Sequence, residues 1–188
     1  PRLSAAEIEA LFINAYNAYT IRTVLDHVSD DGTYYISSIR DIEDVFRRKR
    51  HTVGGFRLSL DNIEHNILRP IFKDPRIHFS VNCASFSCPP LPMQAFTGKS
   101  LDEQLERVTR STLQNVDYVS IEEGVLLLTK ILDWYGRDFV DPHYRGSEET
   151  LAEFVRKYAT AEVASFIESR GADAPIRFRH YAWTLNKP

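Results

Sequence analysis

Tyr118 to Thr129, YVSIEEGVLLLT, decides the fold class. Tyr118 to Ile121 and Val125 to Thr129 are rich in strand formers, and Glu122-Glu123-Gly124 between them supplies a turn that ends in glycine. That pattern predicts a β-hairpin. Outward from it, helical signals dominate. Ser100 with Glu103 opens a helix that runs to about Gln114. On the other side Lys130 to Phe139 reads as a short helix and Glu148 to Ser169 as one or two more, with Gly171 as their stop. Ile176 to Tyr181 reads as a last strand.

At the N-terminal end, Ser4 and Glu7 form a capping box, and the helix they start runs to about Val28. Ile8, Leu11, Phe12, Ala15, Tyr19 and Leu25 fall on one face of it. Ile13, Tyr16 and Val24 populate other faces, so the helix is expected to be central. Asn14, Asn17 and Ile21 share a flank. Ser29 to Thr33 is a turn around Gly32. Ser38 to about Arg50 reads as a second helix whose basic end, Arg47 to Arg50, is a solvated face. His51 to Gly55 breaks the pattern. A third helix is predicted from Leu60 to Arg69, with Pro70 ending or kinking it. After the Asp74-Pro75 turn, Ile77 to Asn82 is expected as a short buried strand, and Cys83 to Pro92 must be a loop. The expected fold is α+β: a mostly helical single domain, residues 1–188, around a small, largely antiparallel sheet.

Composition bounds the function. The 188 residues suit one domain, and 43% hydrophobic with 26% charged residues is ordinary for a globular chain. The net charge of −3 argues against nucleic acid or an anionic membrane as the main partner. Ala10 to Ile21, an uncharged and mostly apolar stretch, is too short to span a bilayer and carries Asn14 and Asn17, so no membrane insertion is expected. Cys83 and Cys88 read equally as free thiols or as one short bridge, whose loop is too small to add much stability. No leader is visible before Pro1.

Two places can carry chemistry. Glu64 sits between Leu60 and Ile67 on the apolar stripe of its helix, where an unpaired carboxylate costs several kcal/mol. It has either a partner or a function. In Asp74 to Leu91, DPRIHFSVNCASFSCPPL, the predicted strand puts His78 and Asn82 on one face and Cys83 at its exit. A thiol with an imidazole nearby is a nucleophile–base pair when the ring is oriented by a third group. In that reading Cys83 attacks, His78 takes the proton, Glu64 orients the ring and His65 is the reserve base. Asn82 or a main-chain N–H serves the oxyanion, and Asn14 and Asn17 bind Glu64 or substrate, or else cap a neighbouring loop. Two other readings use the same residues. One is a binding or scaffold module in which the polar cluster holds the loops together. The other is a metal site built from Glu64, His65, His78, Cys83 and Cys88. No phosphate loop or dinucleotide fingerprint is present, and no cofactor is implied.

FINAYNAYTI (Phe12 to Ile21), LSLDNIEHNILR (Leu58 to Arg69), DPRIHFSVNCASFSCPPL, LTKILDWYGRDF (Leu128 to Phe139) and HYAWTLN (His180 to Asn186) together resemble the domain-of-unknown-function family DUF547. The resemblance runs from about residue 10 to residue 186. It implies a further helix upstream of the first motif, so the N-terminal edge is expected to be truncated here. It also implies signature positions at Asn14, Asn17, Glu64, His65, His78, Asn82, Cys83 and Cys88. Such domains occur in bacterial proteins, often exported ones, and in eukaryotic multidomain proteins. A Cys, a His and a Glu among the signature positions is similar to papain-like and transglutaminase-like cysteine enzymes, although the order here is Glu, His, Cys. The resemblance therefore implies a thiol-dependent hydrolase or acyltransferase acting on a peptide or small acyl substrate.

Overall fold

The computed structural model describes residues 2–187 and is α+β, 48% helical with 12% strand. Its residues fall into two compact units, interleaved in sequence so that no single cut separates them. One holds the chain up to Phe72, Ser80–Gln104 and everything from Ala182 on, and the other holds Lys73–Phe79 and Leu105–Tyr181. Among the described residues no helix is long and apolar enough to cross a membrane.

The first unit is organised by helix α1 (Ala5–Leu25), which starts at the predicted capping box: Glu7 N–H donates to the Ser4 hydroxyl and the Glu7 carboxylate accepts from Ser4 N–H at 2.7 Å. The buried face differs from the expected one. Ala10, Ile13, Tyr16, Asn17 and Thr20 point inward, while Leu11, Ile21 and Leu25 are exposed. The all-round apolar pattern left the choice of face open, and the asparagine flank settled it by finding main-chain partners. Gly98 lies where a Cβ would come within 2.7 Å of Glu7 N, so only glycine permits the approach of that loop to the helix start.

The predicted second helix is a single 3-10 turn, Ile39–Asp41, because Asp41 Oδ2 collects the Ser37 and Ser38 N–H groups at 2.9 Å each and caps the turn locally. Ile42 then turns extended and Asp44 enters the left-handed region at φ 50°. Ile39 and Val45 nonetheless supply a small core with Ala84 and Leu185. Where the sequence pattern broke, strands β1 (His51–Val53) and β2 (Phe56–Leu58) pair antiparallel across Gly54 and Gly55, both at positive φ.

The third helix corrects its prediction. Asn62–Phe72 is a π-helix that carries Pro70 inside it rather than stopping there. Its i→i+5 spacing moves the buried set to Ile63, Glu64 and Leu68, leaves Ile67 half-buried and exposes Ile71. Glu64 is buried, as its place among apolar neighbours required, but the stripe around it is not the 3.6-residue one.

His51 on β1 is buried, stacks on the Tyr19 ring at 4.3 Å between centroids, and has no hydrogen-bond partner at Nε2. Burial, with a smaller contribution from the Arg50 charge, lowers its pKa below 6.5. The folded form therefore prefers the neutral ring, whereas the unfolded chain takes up the proton as pH falls through about 6.5. Stability contributed by this site is present above that pH and is lost on acidification towards the depressed folded pKa. Melting temperature should fall from about pH 7 to about pH 5.5, and His51→Phe should flatten that leg. An unchanged slope in the variant would remove His51 as the cause.

In the second unit, β3 (Val119–Glu122) and β4 (Val125–Leu128) form the predicted hairpin, with Glu123 and Gly124 at positive φ. β5 (Ile176–Phe178) adds parallel to β4, which makes this three-stranded sheet mixed. Helix α2 (Leu101–Leu113) precedes the hairpin. The region expected as one helix after it is two, α3 (Lys130–Trp134) and α4 (Gly136–Val140), broken at Tyr135. Helices α5 (Leu151–Tyr158) and α6 (Ala161–Arg170) follow, each capped by a threonine hydroxyl, and Gly171 ends α6 at φ 61°. The core is aromatic: Phe79, Phe139 and Phe154 are buried, with Phe139 5.6 Å from Phe79 and 4.8 Å from Phe154 between ring centroids.

The expected strand from Ile77 to Asn82 is instead a 3-10 helix, Pro75–Phe79. Asp74 Oδ1 accepts the Arg76 N–H at 3.0 Å, and Pro75 sets φ at the first position, so Asp-Pro starts a helical turn. His78 and Asn82 consequently share no strand face.

Candidate functional site

In the first unit two asparagines of α1 work as main-chain mimics. The Asn14 amide donates to Phe96 O at 2.7 Å and accepts from Phe96 N–H at 2.9 Å. One turn on, the Asn17 amide donates to Ser80 O at 2.8 Å and accepts from Asn82 N–H at 2.8 Å. Each replaces the two bonds that a neighbouring strand would have made, so the long loop between them is fixed at both ends without regular structure. Asn82 continues the bracket: its Oδ1 accepts from Ala84 N–H at 2.6 Å and its Nδ2 donates to Pro89 O at 2.8 Å. All three amides assigned to substrate or oxyanion thus hold main-chain groups; for Asn14 and Asn17 this is the loop-capping arrangement that was their other reading.

Cys83 emerges from this bracket half-buried, and Cys88 is buried; both are free thiols. Ala84 between them lies in the left-handed region at φ 59°, which reverses the chain directly after Cys83. Cys88 N–H then donates to Ser85 O at 3.0 Å. The reversal places Cys83 Sγ 3.1 Å from Cys88 Sγ and 3.2 Å from the Ser85 hydroxyl, while Cys83 N–H donates to Cys88 Sγ at 3.2 Å. The segment after Ala182 pins the loop from outside: Phe86 N–H donates to Thr184 O at 2.7 Å, and Asn186 N–H donates to Ala84 O at 3.2 Å. Asn82 and Ala84, on either side of Cys83 in sequence, line a recess of about 160 Å³ with Val24, Tyr34, Leu91 and Leu185.

Glu64 lies in the same unit, its side chain 8% exposed and its Oε1 4.0 Å from His65 Nδ1. His65 faces outward beside Arg69 Nη1 at 3.3 Å and Asp61 Oδ1 at 3.9 Å.

His78 belongs to the second unit. Its Nε2 is 2.9 Å from Asp138 Oδ2, and both side chains are buried. Tyr135 stacks on the imidazole at 3.9 Å between centroids and 15° between planes, and Phe139 closes another side at 5.6 Å. The ring is held by a carboxylate and two aromatic faces, an arrangement that fixes an imidazole's orientation. Asp138 is the residue the sequence reading missed. In LDWYGRDF it stands four residues after Trp134 and seven after Ile131, a carboxylate at helical spacing from apolar residues like Glu64, although the break at Tyr135 divides that stretch between α3 and α4. Among the described residues, no group of three or more His, Cys, Asp and Glu side chains is placed to hold a metal ion.

The fold and this loop define an α+β domain whose cysteine-bearing segment is clamped by helix asparagines. The chain belongs to DUF547, a family described as proteins of unknown function, whose sequence model matches residues 1–112. That stretch takes in α1, the π-helix and the cysteine loop, whereas LTKILDWYGRDF and HYAWTLN lie beyond it. No curated protein and no solved structure matches the chain.

Proposed function

We propose that this domain is a thiol-dependent hydrolase or acyltransferase with Cys83 as its nucleophile. The observation that supports the reading best is the half-buried Cys83 thiol on a loop clamped by Asn17, Asn82 and the segment after Ala182. A nucleophile must be both reachable and rigidly presented. The base of this reading is His78, five residues upstream in sequence, whose ring Asp138 already orients. Glu64 remains the second carboxylate of the constellation. A general base takes the Cys83 proton, the thiolate adds to the acyl carbon, and the protonated base returns the proton to the leaving group. The acyl-thioester then goes to water in a hydrolase or to a second nucleophile in a transferase. The recess beside Asn82 and Ala84, with a mostly apolar lining that Thr20 and Asn186 interrupt, suits a small acyl group.

A structural reading has its own support. The amides of Asn14, Asn17 and Asn82 are all spent on main-chain groups, as a scaffold module requires. One experiment separates the two. In a Cys88→Ser background, Cys83 should alkylate with iodoacetamide at pH 6 to 7, below the ordinary thiol pKa of about 8.5. His78→Ala should slow it roughly tenfold or more, Glu64→Gln should slow it as well, and Cys83→Ala should abolish it. Labelling that appears only on unfolding would overturn the enzyme reading in favour of the scaffold.

A further inference from the structure

We infer that Cys83 and Cys88 form a reversible dithiol–disulfide site, with Cys83 as the entering thiol and Cys88 as the resolving one. The inference goes beyond the proposed catalysis and holds whether or not Cys83 attacks an acyl group. Four observations carry it. The sulfurs are 3.1 Å apart, about 1 Å beyond the bonded distance of about 2.05 Å. The main chain is already folded for the bridge, through the Ala84 reversal and the Cys88 N–H to Ser85 O turn. The loop is anchored through Asn82 and the 182–186 segment, which keeps the two thiols together. Finally, the pair is asymmetric: Cys83 is half-buried, and Cys88 is 7% exposed.

The oxidant is a low-molecular-weight disulfide. Cys83 loses its proton to solvent, and the thiolate, within reach of the Ser85 hydroxyl, attacks one sulfur of RS–SR and expels RS⁻. The Cys88 thiolate then attacks the Cys83 sulfur of the mixed disulfide and expels the second RS⁻. The protein loses two thiol hydrogens and the co-reactant becomes two RSH. In the oxidised form the Cys83 sulfur is no longer a nucleophile. Because the bridge closes only a short loop, overall stability should change little.

Oxidised glutathione added to the reduced, folded chain tests this by intact mass. Wild type should lose two hydrogens without retaining glutathione, and dithiothreitol should reverse the change. Cys88→Ser should retain one glutathionyl group on Cys83, because nothing resolves it. Cys83→Ser should stay unmodified, since Cys88 is buried. A wild type that keeps glutathione stably, or keeps two alkylatable thiols after equilibration, would overturn the inference. So would a Cys83→Ser variant that reacts as fast as wild type. If either variant fails to fold, the wild-type mass alone decides. The outcome is distinct from the catalytic test, because bridge formation needs neither His78 nor Glu64.

Discussion

Asn17→Ala should destabilise the domain by about 2–5 kcal/mol and loosen the cysteine loop. The amide bridges two buried main-chain groups, Ser80 O and Asn82 N–H, and is itself 8% exposed. Removing it leaves both unsatisfied, at about 1–3 kcal/mol each. Alanine offers no replacement for either bond. The loss should reach the cysteines through Asn82, whose side chain holds Ala84 N–H and Pro89 O on either side of them. Denaturant unfolding would measure the stability loss. Alkylation of the folded protein would measure the loosening, as faster labelling of the buried Cys88. Asn17→Asp keeps the acceptor for Asn82 N–H but loses the donor to Ser80 O, so it should fall between. A stability change below about 0.5 kcal/mol with Cys88 still protected would show that the bracket does not hold the loop.

Asp74→Ala should cost about as much or more, roughly 3–5 kcal/mol, for a different reason. Asp74 and Arg76 are a buried ion pair in the second unit, with Arg76 Nη2 2.7 Å from Asp74 Oδ2 and Nε 3.0 Å from Oδ1. The same carboxylate accepts the Arg76 main-chain N–H, so one residue both starts the Pro75–Phe79 turn and neutralises a cation inside it. Truncation strips the buried guanidinium of its bidentate acceptor and leaves Glu106, at 3.7 Å, as a weaker charged neighbour. Thermal melting should drop by roughly 10 °C. Asp74→Asn keeps the turn-starting acceptor and should lose less. Because His78 sits on this turn, its pairing with Asp138 should loosen too, visible as a change in the imidazole NMR chemical shifts. A melting point within about 2 °C of wild type would contradict the buried-pair argument.

The local signals that were legible are the ones with a mechanism confined to a few neighbouring residues. Ser4 with Glu7 marks a helix start, Glu123-Gly124 marks a hairpin, and Gly171 marks a helix end. The misread stretches are those where local cues compete. Asp74-Pro75 could open a turn of helix or simply precede a strand. His78, Ser80 and Asn82 alternate with Phe79 and Val81 as a strand would, but Pro75 through Phe79 are all buried, so the alternation marks no exposed face. The Gly54-Gly55 hairpin read only as a break in the pattern, because its flanking strands are three residues each. Pro70 read as a stop or a kink because proline removes an α-helical hydrogen bond, whereas the chain there is a π-helix that runs on to Phe72.

The candidate site divides in the same way. Sequence alone determined that Cys83 and Cys88 share a loop, that Glu64 sits among apolar neighbours and is therefore buried, and that Asn14 and Asn17 share one flank of a helix. These follow from spacing along one chain segment. The partners of those residues were decided only by the tertiary structure. Asp138 meets His78 from 60 residues away, Asn14 meets Phe96 from 82 away, and the segment at Thr184 covers the cysteine loop. Periodicity reports which side of an element is apolar; it says nothing about which distant main-chain group arrives to satisfy a buried amide or imidazole. Hydrogen bonding across long sequence separations is therefore what turned a polar flank and a cysteine loop into a single rigid arrangement.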